Sequence, residues 1–213
     1  MEVFDAEAVP QRSPQWFELH RGIPTASEFH KVMAKVGPRG GTSSREYVSR
    51  AKYMRMLAGE IITGEPKQSE WLGNEHTERG KEREDEARDL YALLHDVEPQ
   101  QVGFIRNGNC GCSPDSLIGE VGGLEIKDAL PHVQIERLQA GTVPGEYRWQ
   151  VIGELLVSER EWFDFMSHCR GLPPFIKRVH RDEVVADLAE LREGIDRFCA
   201  ERDRLVEWIQ CMW

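Results

Sequence analysis

The clearest periodic pattern in the chain is a short stretch in which aliphatic and charged residues alternate. Leu124 and Ile126 alternate with Glu125 and Lys127, and side chains on a β-strand point to opposite faces with a period of two. The pattern predicts a strand that buries the two aliphatic residues and places the two charged residues together on its other face. The preceding pair Gly122-Gly123 predicts a tight hairpin turn, because glycine tolerates the positive φ values that such turns need.

Longer segments show helical periodicity, with apolar residues four and three positions apart. The segment from Glu75 to His95 has such a stripe, and Glu84 lies on it. A carboxylate on a buried line needs a partner or a metal ion, so Glu84 is either a salt-bridged core acid or a site residue. Gln150, in the helix predicted from Gly145 to Arg160, is either a binding group or an ordinary hydrogen-bonding group. The other helical segments are Tyr47 to Ile61, Gly145 to Arg160 and a long C-terminal helix over residues 184–213.

Several shorter apolar segments predict further strands, namely Val102 to Arg106, Trp162 to Met166 and Phe175 to His180. Residues 1–13 are polar, and we expect them to form a loose N-terminal arm. The order of helices and strands predicts an α/β fold with a central mixed β-sheet flanked by helices. A single domain over residues 1–213 suits this chain length.

Composition narrows the class of protein. The chain has 213 residues and no long apolar run, so we expect nothing that spans a membrane. The acidic N-terminus lacks the basic-then-apolar pattern of a signal peptide, and five cysteines suit a reducing compartment; both favour the cytoplasm. A zinc site could be drawn from Cys110, Cys112, His168 and Cys169. Only one residue separates Cys110 from Cys112, however, whereas roughly two to four residues usually separate paired zinc ligands, which argues against such a site.

Charge is distributed unevenly along the chain. The net charge is −10, which by itself argues against a polyanionic partner. The segment from His30 to Arg55, however, contains seven Lys and Arg residues and one acid, Glu46, a net +6 that leaves −16 for the rest. A local basic stripe is what a phosphate backbone requires, although a solvated helix face would have the same composition.

Three charged residues of the predicted hairpin suggest metal chemistry. The turn would bring Asp115 to the end of the hairpin that holds Glu125 and Lys127. Carboxylate oxygens bind hard divalent cations, and the lysine could orient or activate a water molecule. An ordinary surface ion pair is the alternative. The similar triplet Glu65-Pro66-Lys67 does not predict a strand, because proline cannot donate to a sheet ladder and Gly64 predicts a turn.

A helix start near residue 25 offers a second candidate site. Thr25 and Glu28 form the pattern of a capping box, and His20 and Arg21 precede it closely. A helix N-terminus attracts anions through its free N–H groups, so these residues and Ser27 could bind a phosphate. A well-capped helix without a ligand is the alternative.

Five motifs occur in order along the chain, and together they resemble a known family. The Pro-Asp and Glu-x-Lys pieces of the hairpin resemble the signature of the nuclease superfamily that includes many restriction enzymes. The whole series is similar to the lambda exonuclease family, the YqaJ-type viral recombinases, from Trp16 to about Val157. Its pieces are Trp16–Glu28, Gly80–Arg88, Cys112–Asp115, Leu124–Lys127 and Tyr147–Val151.

The resemblance implies a restriction-endonuclease-like core and a catalytic role for some residues. Two Mg²⁺ ions, which Mn²⁺ could replace, are expected between oxygen ligands. In the family pattern the ligands are Asp115, Glu125, the main-chain carbonyl of Ile126 and, for the second ion, Glu84. Lys127 and Gln150 would position the attacking water.

The resemblance also implies a DNA-binding surface. The residues expected at a 5′-phosphate are Thr25, Ser27, Ser113 and either His20 or Arg21, with Arg39 along the DNA path. The family usually has arginine at the position of His20, two residues before Gly22. It usually has Cys-Pro after the lysine, where this chain has Asp128-Ala129, and Asp128 adds an acid near the expected metal.

The function implied by the resemblance is a Mg²⁺-dependent 5′→3′ exonuclease. Such an enzyme digests one strand of linear double-stranded DNA to mononucleotides, for phage-type recombination by single-strand annealing. The expected partners are a 5′-phosphorylated duplex end, two further copies of the chain in a ring-shaped homotrimer, and a single-strand annealing protein, in a bacterial cell that carries the phage or prophage. The alternatives are an endonuclease of the same superfamily and a non-catalytic DNA-binding protein.

Overall fold

The computed structural model describes residues 1–34, 45–66 and 75–213, and the side chains of all of these except 45–48 and 75–81. These residues form eight strands and seven α-helices. The strands are β1 (Glu2–Asp5), β2 (Pro99–Gln100), β3 (Val102–Asn107), β4 (Cys110–Cys112), β5 (Ser116–Ile118), β6 (Gly122–Asp128), β7 (Trp162–His168) and β8 (Phe175–His180). The helices are α1 (Pro14–His20), α2 (Phe29–Val32), α3 (Arg45–Thr63), α4 (Glu75–His95), α5 (Pro131–Ala140), α6 (Arg148–Ser158) and α7 (Val185–Gln210).

The strands form two sheets that share the helices around them. The larger sheet has the order β2-β5-β6-β7-β8, and the smaller has the order β1-β3-β4. The β6–β7 pairing is parallel and the other pairings in the larger sheet are antiparallel. The predicted α/β fold with a central mixed sheet flanked by helices is therefore confirmed. Among the described ranges, no helix combines the length and apolar character needed to cross a bilayer.

Strand β6 lies between helices on its two faces, which separates its aliphatic from its charged residues. Leu124 and Ile126 pack with Ala87 and Tyr91 of α4 in one core cluster. The opposite face carries Glu125, which contacts helix α6. The period-two pattern of the sequence is thus confirmed, and it places the charged residues of β6 under α6.

The hairpin turn differs from the predicted one. Gly122 and Gly123 lie within β6, paired with Ile118 and Leu117, and the positive φ of 53° falls on Gly119. The two glycines have a packing role instead. A Cβ at Gly123 would lie 2.1 Å from the ring of Phe163, so β7 leaves no room there for a side chain.

The N-terminal residues are not a loose arm. Strand β1 pairs with β3 antiparallel, Val9 is buried, and Gln11 donates from Nε2 to the carbonyl of Val102 at 3.2 Å. The ring of Phe4 stacks on that of Phe104 at 6.5 Å. Two apolar side chains and a strand ladder offset the entropy cost of ordering a segment that reads as polar.

Helix boundaries agree with the sequence in the long helices and differ in the short ones. Helix α4 has the predicted bounds, but Leu94 at the end of its stripe is 53% exposed. Thr25 makes no side-chain cap bond and precedes a short 3₁₀ turn, Ala26–Glu28. Helix α5, which the sequence patterns do not predict, begins at Pro131, and proline fits the first turn of a helix.

The packing of Gly123 gives a direct test of the β6–β7 contact. We expect Gly123→Ala to destabilise the protein by about 1–3 kcal/mol, because the added methyl group overpacks against a fully buried ring. Gly59→Ala, in the middle of α3 with nothing within 4 Å, is the matched control and should stabilise by about 0.5–1 kcal/mol. Urea unfolding measures both, and equal midpoints for the two variants would contradict the packing.

Candidate active site

One cavity collects most of the residues that the sequence singled out. It has a volume of about 450 Å³ and lies where α6, the 25–28 turn and the ends of β4 and β6 meet. The predicted site residues in its lining are His20, Thr25, Ser27, Ser113, Asp115, Glu125, Lys127 and Gln150. A second cavity of about 280 Å³ shares Asp115 and adds Glu84. Asp115 therefore lies between two open spaces.

The polypeptide around Asp115 explains why these residues meet. The main chain of Thr25 bridges to Gly111 of β4, and the amide of Gly111 donates to Pro24. Strand β4 then leads through Ser113 into Asp115. The pocket predicted for phosphate and the pocket predicted for metal are thus joined by a few residues of backbone.

Asp115 and Glu125 occupy the two arms of the hairpin. Oδ2 of Asp115 accepts a hydrogen bond from the amide of Ile126 at 2.6 Å, which fixes the carboxylate against β6. Burial raises the pKa of Asp115 well above its usual range, and the charges of Glu125 and Glu84 raise it further. Glu125 is 2% exposed and Asp115 is half-buried, so two carboxyl groups that are largely removed from water repel each other here.

Lys127 is the cation of this group. Its Nζ lies 2.5 Å from Oε1 of Glu125 and 5.4 Å from the centre of the Tyr147 ring. Burial by itself would lower the pKa of Lys127, but the charges of Glu125 and Asp115 outweigh it and raise the pKa above the ordinary value. The side chain is therefore an ammonium that donates hydrogen bonds, rather than a free amine that accepts a proton.

Gln150 and Glu154 complete the group from α6. Nε2 of Gln150 donates to Oε1 of Glu125 at 2.5 Å and to Oε1 of Glu154 at 3.1 Å. Glu154 is 1% exposed, and the Oε2 atoms of both glutamates are buried without a donor. Burial and the charge of Glu125 raise the pKa of Glu154 well above its usual range.

Glu154 is the residue that sequence reasoning missed. The sequence did contain a signal for it, because Glu154 is four positions after Gln150 and lies beside Leu155 on the apolar side of the same helix. An acid on the apolar side of a helix, like Glu84 in α4, is either a salt-bridged core acid or a site residue.

Glu84 is close to the hairpin acids but held by another partner. Its Oε1 accepts from Arg88 at 2.6 Å, and Arg88 also donates to Ser116 of β5 at 3.0 Å. Burial raises the pKa of Glu84 against the lowering effect of Arg88, and the charge of Glu125 adds to the rise. Glu84 is thus both salt-bridged and part of the acidic group.

Asp128 forms an ion pair with Arg83 at 2.7 Å and lines neither of the two cavities.

The donor set suits a hard divalent cation in its chemistry. All the acids offer oxygen, Glu125 has an oxygen without a hydrogen-bond partner, and a cation would relieve the repulsion that raises the pKa of Asp115. Among the described residues, no three His, Cys, Asp or Glu side chains are arranged so that they could hold a metal ion together. Glu84 is paired with Arg88 instead, and Glu125 with Lys127. The carbonyl of Ile126 as a ligand stays a prediction.

The phosphate pocket has its hydroxyl groups but not its expected cation. Ser27, Ser113 and Thr25 line the cavity. His20 lines it too, but burial lowers the pKa of His20 to about 4, so the ring is neutral near pH 7. Arg21 lies outside the lining and bonds to the carbonyl of Gly64 at 2.7 Å. Neither residue supplies a positive charge to the pocket.

The basic segment predicted for DNA is only partly described. Arg39 lies outside the described residues. Arg50 is buried and forms an ion pair with Glu201 at 2.9 Å, so it is not available to a ligand. Lys31 forms an ion pair with Glu28.

Comparison of the sequence with known protein families identifies the family of this chain. The model of the YqaJ-like viral recombinase domain matches residues 15–161. The chain belongs to this family. Its fold is restriction-endonuclease-like with a long C-terminal helix, as predicted, and the family is one of nucleases. No curated protein matches the chain.

Solved structures agree with the family. An alkaline exonuclease from Laribacter hongkongensis, LHK-Exo, is 29% identical with a TM-score of 0.79, over 94% of this chain and 97% of that one. The same values hold for LHK-Exo in complex with dAMP. A phage-related exonuclease from Haemophilus somnus 129PT, 14% identical with a TM-score of 0.60 over 91% of this chain and 99% of that one, shares the fold.

The buried acids make stability depend on pH. Because the pKa of Asp115 is raised in the folded state, its contribution to stability is present below the unfolded pKa and lost as pH rises through the folded pKa. We expect the melting temperature of the protein in EDTA to fall as pH rises from the ordinary pKa range of a carboxyl group towards alkaline values, and Asp115→Asn to reduce this fall. Each 1 kcal/mol gained raises the melting temperature by about 2–4 °C.

Thermal unfolding across this pH range measures the effect. Asp89→Asn, which removes an exposed acid of α4, is the control and should follow the wild type. Adding Mg²⁺ should raise the melting temperature of the wild type at high pH more than that of Asp115→Asn. Identical pH curves for the wild type and Asp115→Asn would exclude the repulsion.

Proposed function

We propose that this protein is a Mg²⁺-dependent 5′→3′ exonuclease that degrades one strand of linear double-stranded DNA to mononucleotides. The observation that supports it most is the single cavity that holds the acids, the ammonium and the hydroxyl-lined pocket. An end-recognising nuclease needs a site for the strand terminus beside the site where the bond is cut. LHK-Exo in complex with dAMP adds support, because dAMP is a deoxynucleoside monophosphate.

In this proposal each residue of the cavity has a limited chemical task. Asp115, Glu125, the carbonyl of Ile126 and Glu84 would hold the metal, which supplies positive charge at the scissile phosphate and acidifies the attacking water. Lys127 and Gln150 donate hydrogen bonds and orient that water. Its oxygen bonds to phosphorus and the bond from phosphorus to the 3′-oxygen breaks, so the next nucleotide is left with a 5′-phosphate. Each cycle thus regenerates the end group that the pocket binds.

The finer biological setting belongs to the same proposal. We infer that the enzyme acts in the cytoplasm of a bacterial cell, assembles as a ring-shaped homotrimer, and delivers its single-stranded product to an annealing protein. A ring would keep an acidic protein on DNA by enclosing the duplex, because an enclosed duplex stays bound without attraction between opposite charges.

The choice of substrate tests the proposed reaction. Linear duplex with 5′-phosphates should release acid-soluble mononucleotides in Mg²⁺ and not in EDTA, whereas closed circular duplex should stay intact.

Lys127→Ala should lower the rate by about 100- to 10,000-fold without lowering the melting temperature in proportion. Glu65→Gln changes the exposed acid of the other Glu-x-Lys triplet and should keep full activity. Nicking of closed circles would favour the endonuclease, and metal-independent binding without cleavage would favour the non-catalytic protein.

Glu154 gives a second test, because it accepts from Gln150, which also donates to Glu125. Glu154→Gln keeps an oxygen that can accept from Gln150, so we expect activity close to that of the wild type. Glu154→Ala removes the acceptor that holds Gln150 and should lower kcat by about 10- to 100-fold with little change in KM. Equal kcat values for the two variants at matched folded fractions would contradict this positioning role.

A further inference from the structure

The proposed function leaves one electrostatic requirement unmet. A terminal 5′-phosphate carries more negative charge than an internal one, and phosphate sites use Arg or Lys for this reason. The main cavity is lined by five acids: Glu28, Glu60, Asp115, Glu125 and Glu154. Its lysine, Lys127, lies 2.5 Å from Glu125, and His20 is neutral. The pocket needs another cation.

Arg12 is the only arginine among the described residues that line this cavity. It also lines the second cavity, beside Asp115 and Glu84, and its side chain is exposed. Arg12 thus stands at the wall between the two spaces, where a strand that passes the hairpin acids would meet it.

The chain on both sides of Arg12 is fixed to the segment that carries the site. On one side, Nε2 of Gln11 donates to the carbonyl of Pro114 at 3.4 Å. On the other side, the hydroxyl of Ser13 accepts from the amide of Trp16 at 3.2 Å, and Nε1 of Trp16 donates to Oγ of Ser113 at 2.9 Å. Ser113 and Pro114 directly precede Asp115. The position of Arg12 is therefore tied to the phosphate pocket and to the hairpin acid together.

The backbone conformation of Arg12 points to a role for its side chain. Its φ is +68°, in the left-handed region that glycine adopts readily and that costs an L-residue roughly 1 kcal/mol or more. Glycine would suit this backbone better than arginine. Strain of this kind is typical of functional positions.

We propose that Arg12 is the cation that binds the terminal 5′-phosphate, beside the hydroxyls of Ser27 and Ser113. The inference rests on the proposed function and deepens it. It also gives a use to the ordered N-terminal arm, because strand β1 and Gln11 hold Arg12 at the wall of the cavity.

The conformation makes an unusually selective test possible. Because glycine relieves the backbone, Arg12→Gly should melt no lower than Arg12→Ala, and yet it should weaken binding. Affinity is measured in EDTA, without turnover, on a hairpin duplex whose single end carries either a 5′-phosphate or a 5′-hydroxyl group. We expect Arg12→Gly and Arg12→Ala to lose about 10- to 100-fold in affinity for the phosphorylated end and little for the hydroxyl end. Arg12→Lys should keep part of the preference.

Arg21→Ala is the matched control, since it removes the arginine that the sequence favoured and that lies outside the cavity. It should keep the preference for the 5′-phosphate. Loss of the preference in Arg21→Ala but not in Arg12→Gly would overturn the assignment, as would an equal loss for both ends in Arg12→Gly. If wild-type protein digests phosphorylated duplex and the Arg12 variants keep its end preference, the assignment alone fails. If the wild type neither digests duplex nor prefers the phosphate, both proposals fail.

Discussion

The burial of several carboxyl groups around one ammonium constrains the whole structure. Removing a charge from water costs several kcal/mol unless partners replace the lost solvation. Asp115 has the amide of Ile126, Glu125 has Lys127, and Glu84 has Arg88. These bonds hold the acids together, while burial and, after it, the charges of Glu125 and Glu84 raise the pKa of Asp115. A perturbed acidic group in a cavity is typical of a site that uses charge for chemistry.

The sequence predicts the positions of these residues well, because they lie on short-range periodic patterns. Leu124 and Ile126 alternate with Glu125 and Lys127, so the two faces of β6 could be assigned before any contact was known. The interior position of Glu84 followed from the helical period in the same way. These patterns depend only on backbone geometry, which does not change with the tertiary context.

Other features depend on contacts that no local pattern contains. Gly122 and Gly123 read as a turn, whereas their real constraint is the approach of aromatic rings from β7, about 40 residues further along the chain. Residues 1–13 read as a loose arm because the partner strand β3 lies roughly 100 residues away. His20 reads as a cation, and only its burial makes it neutral. In each case the error came from a contact with residues distant in the sequence, which a local pattern does not contain.

Charge limits how this protein can attract DNA under the proposed function. The net charge is −10, and part of the basic segment is used internally, since Arg50 pairs with Glu201 and Lys31 with Glu28. Broad basic surfaces bind duplex of any kind by releasing counterions; an acidic protein in which two of the described cations of the basic segment are paired with acids gains less in this way. Under the proposed function, divalent ions at the acids and single cations at the strand terminus then contribute more of the affinity. Such a balance favours a DNA end over the interior of a duplex, which is what a nuclease that begins at a terminus requires.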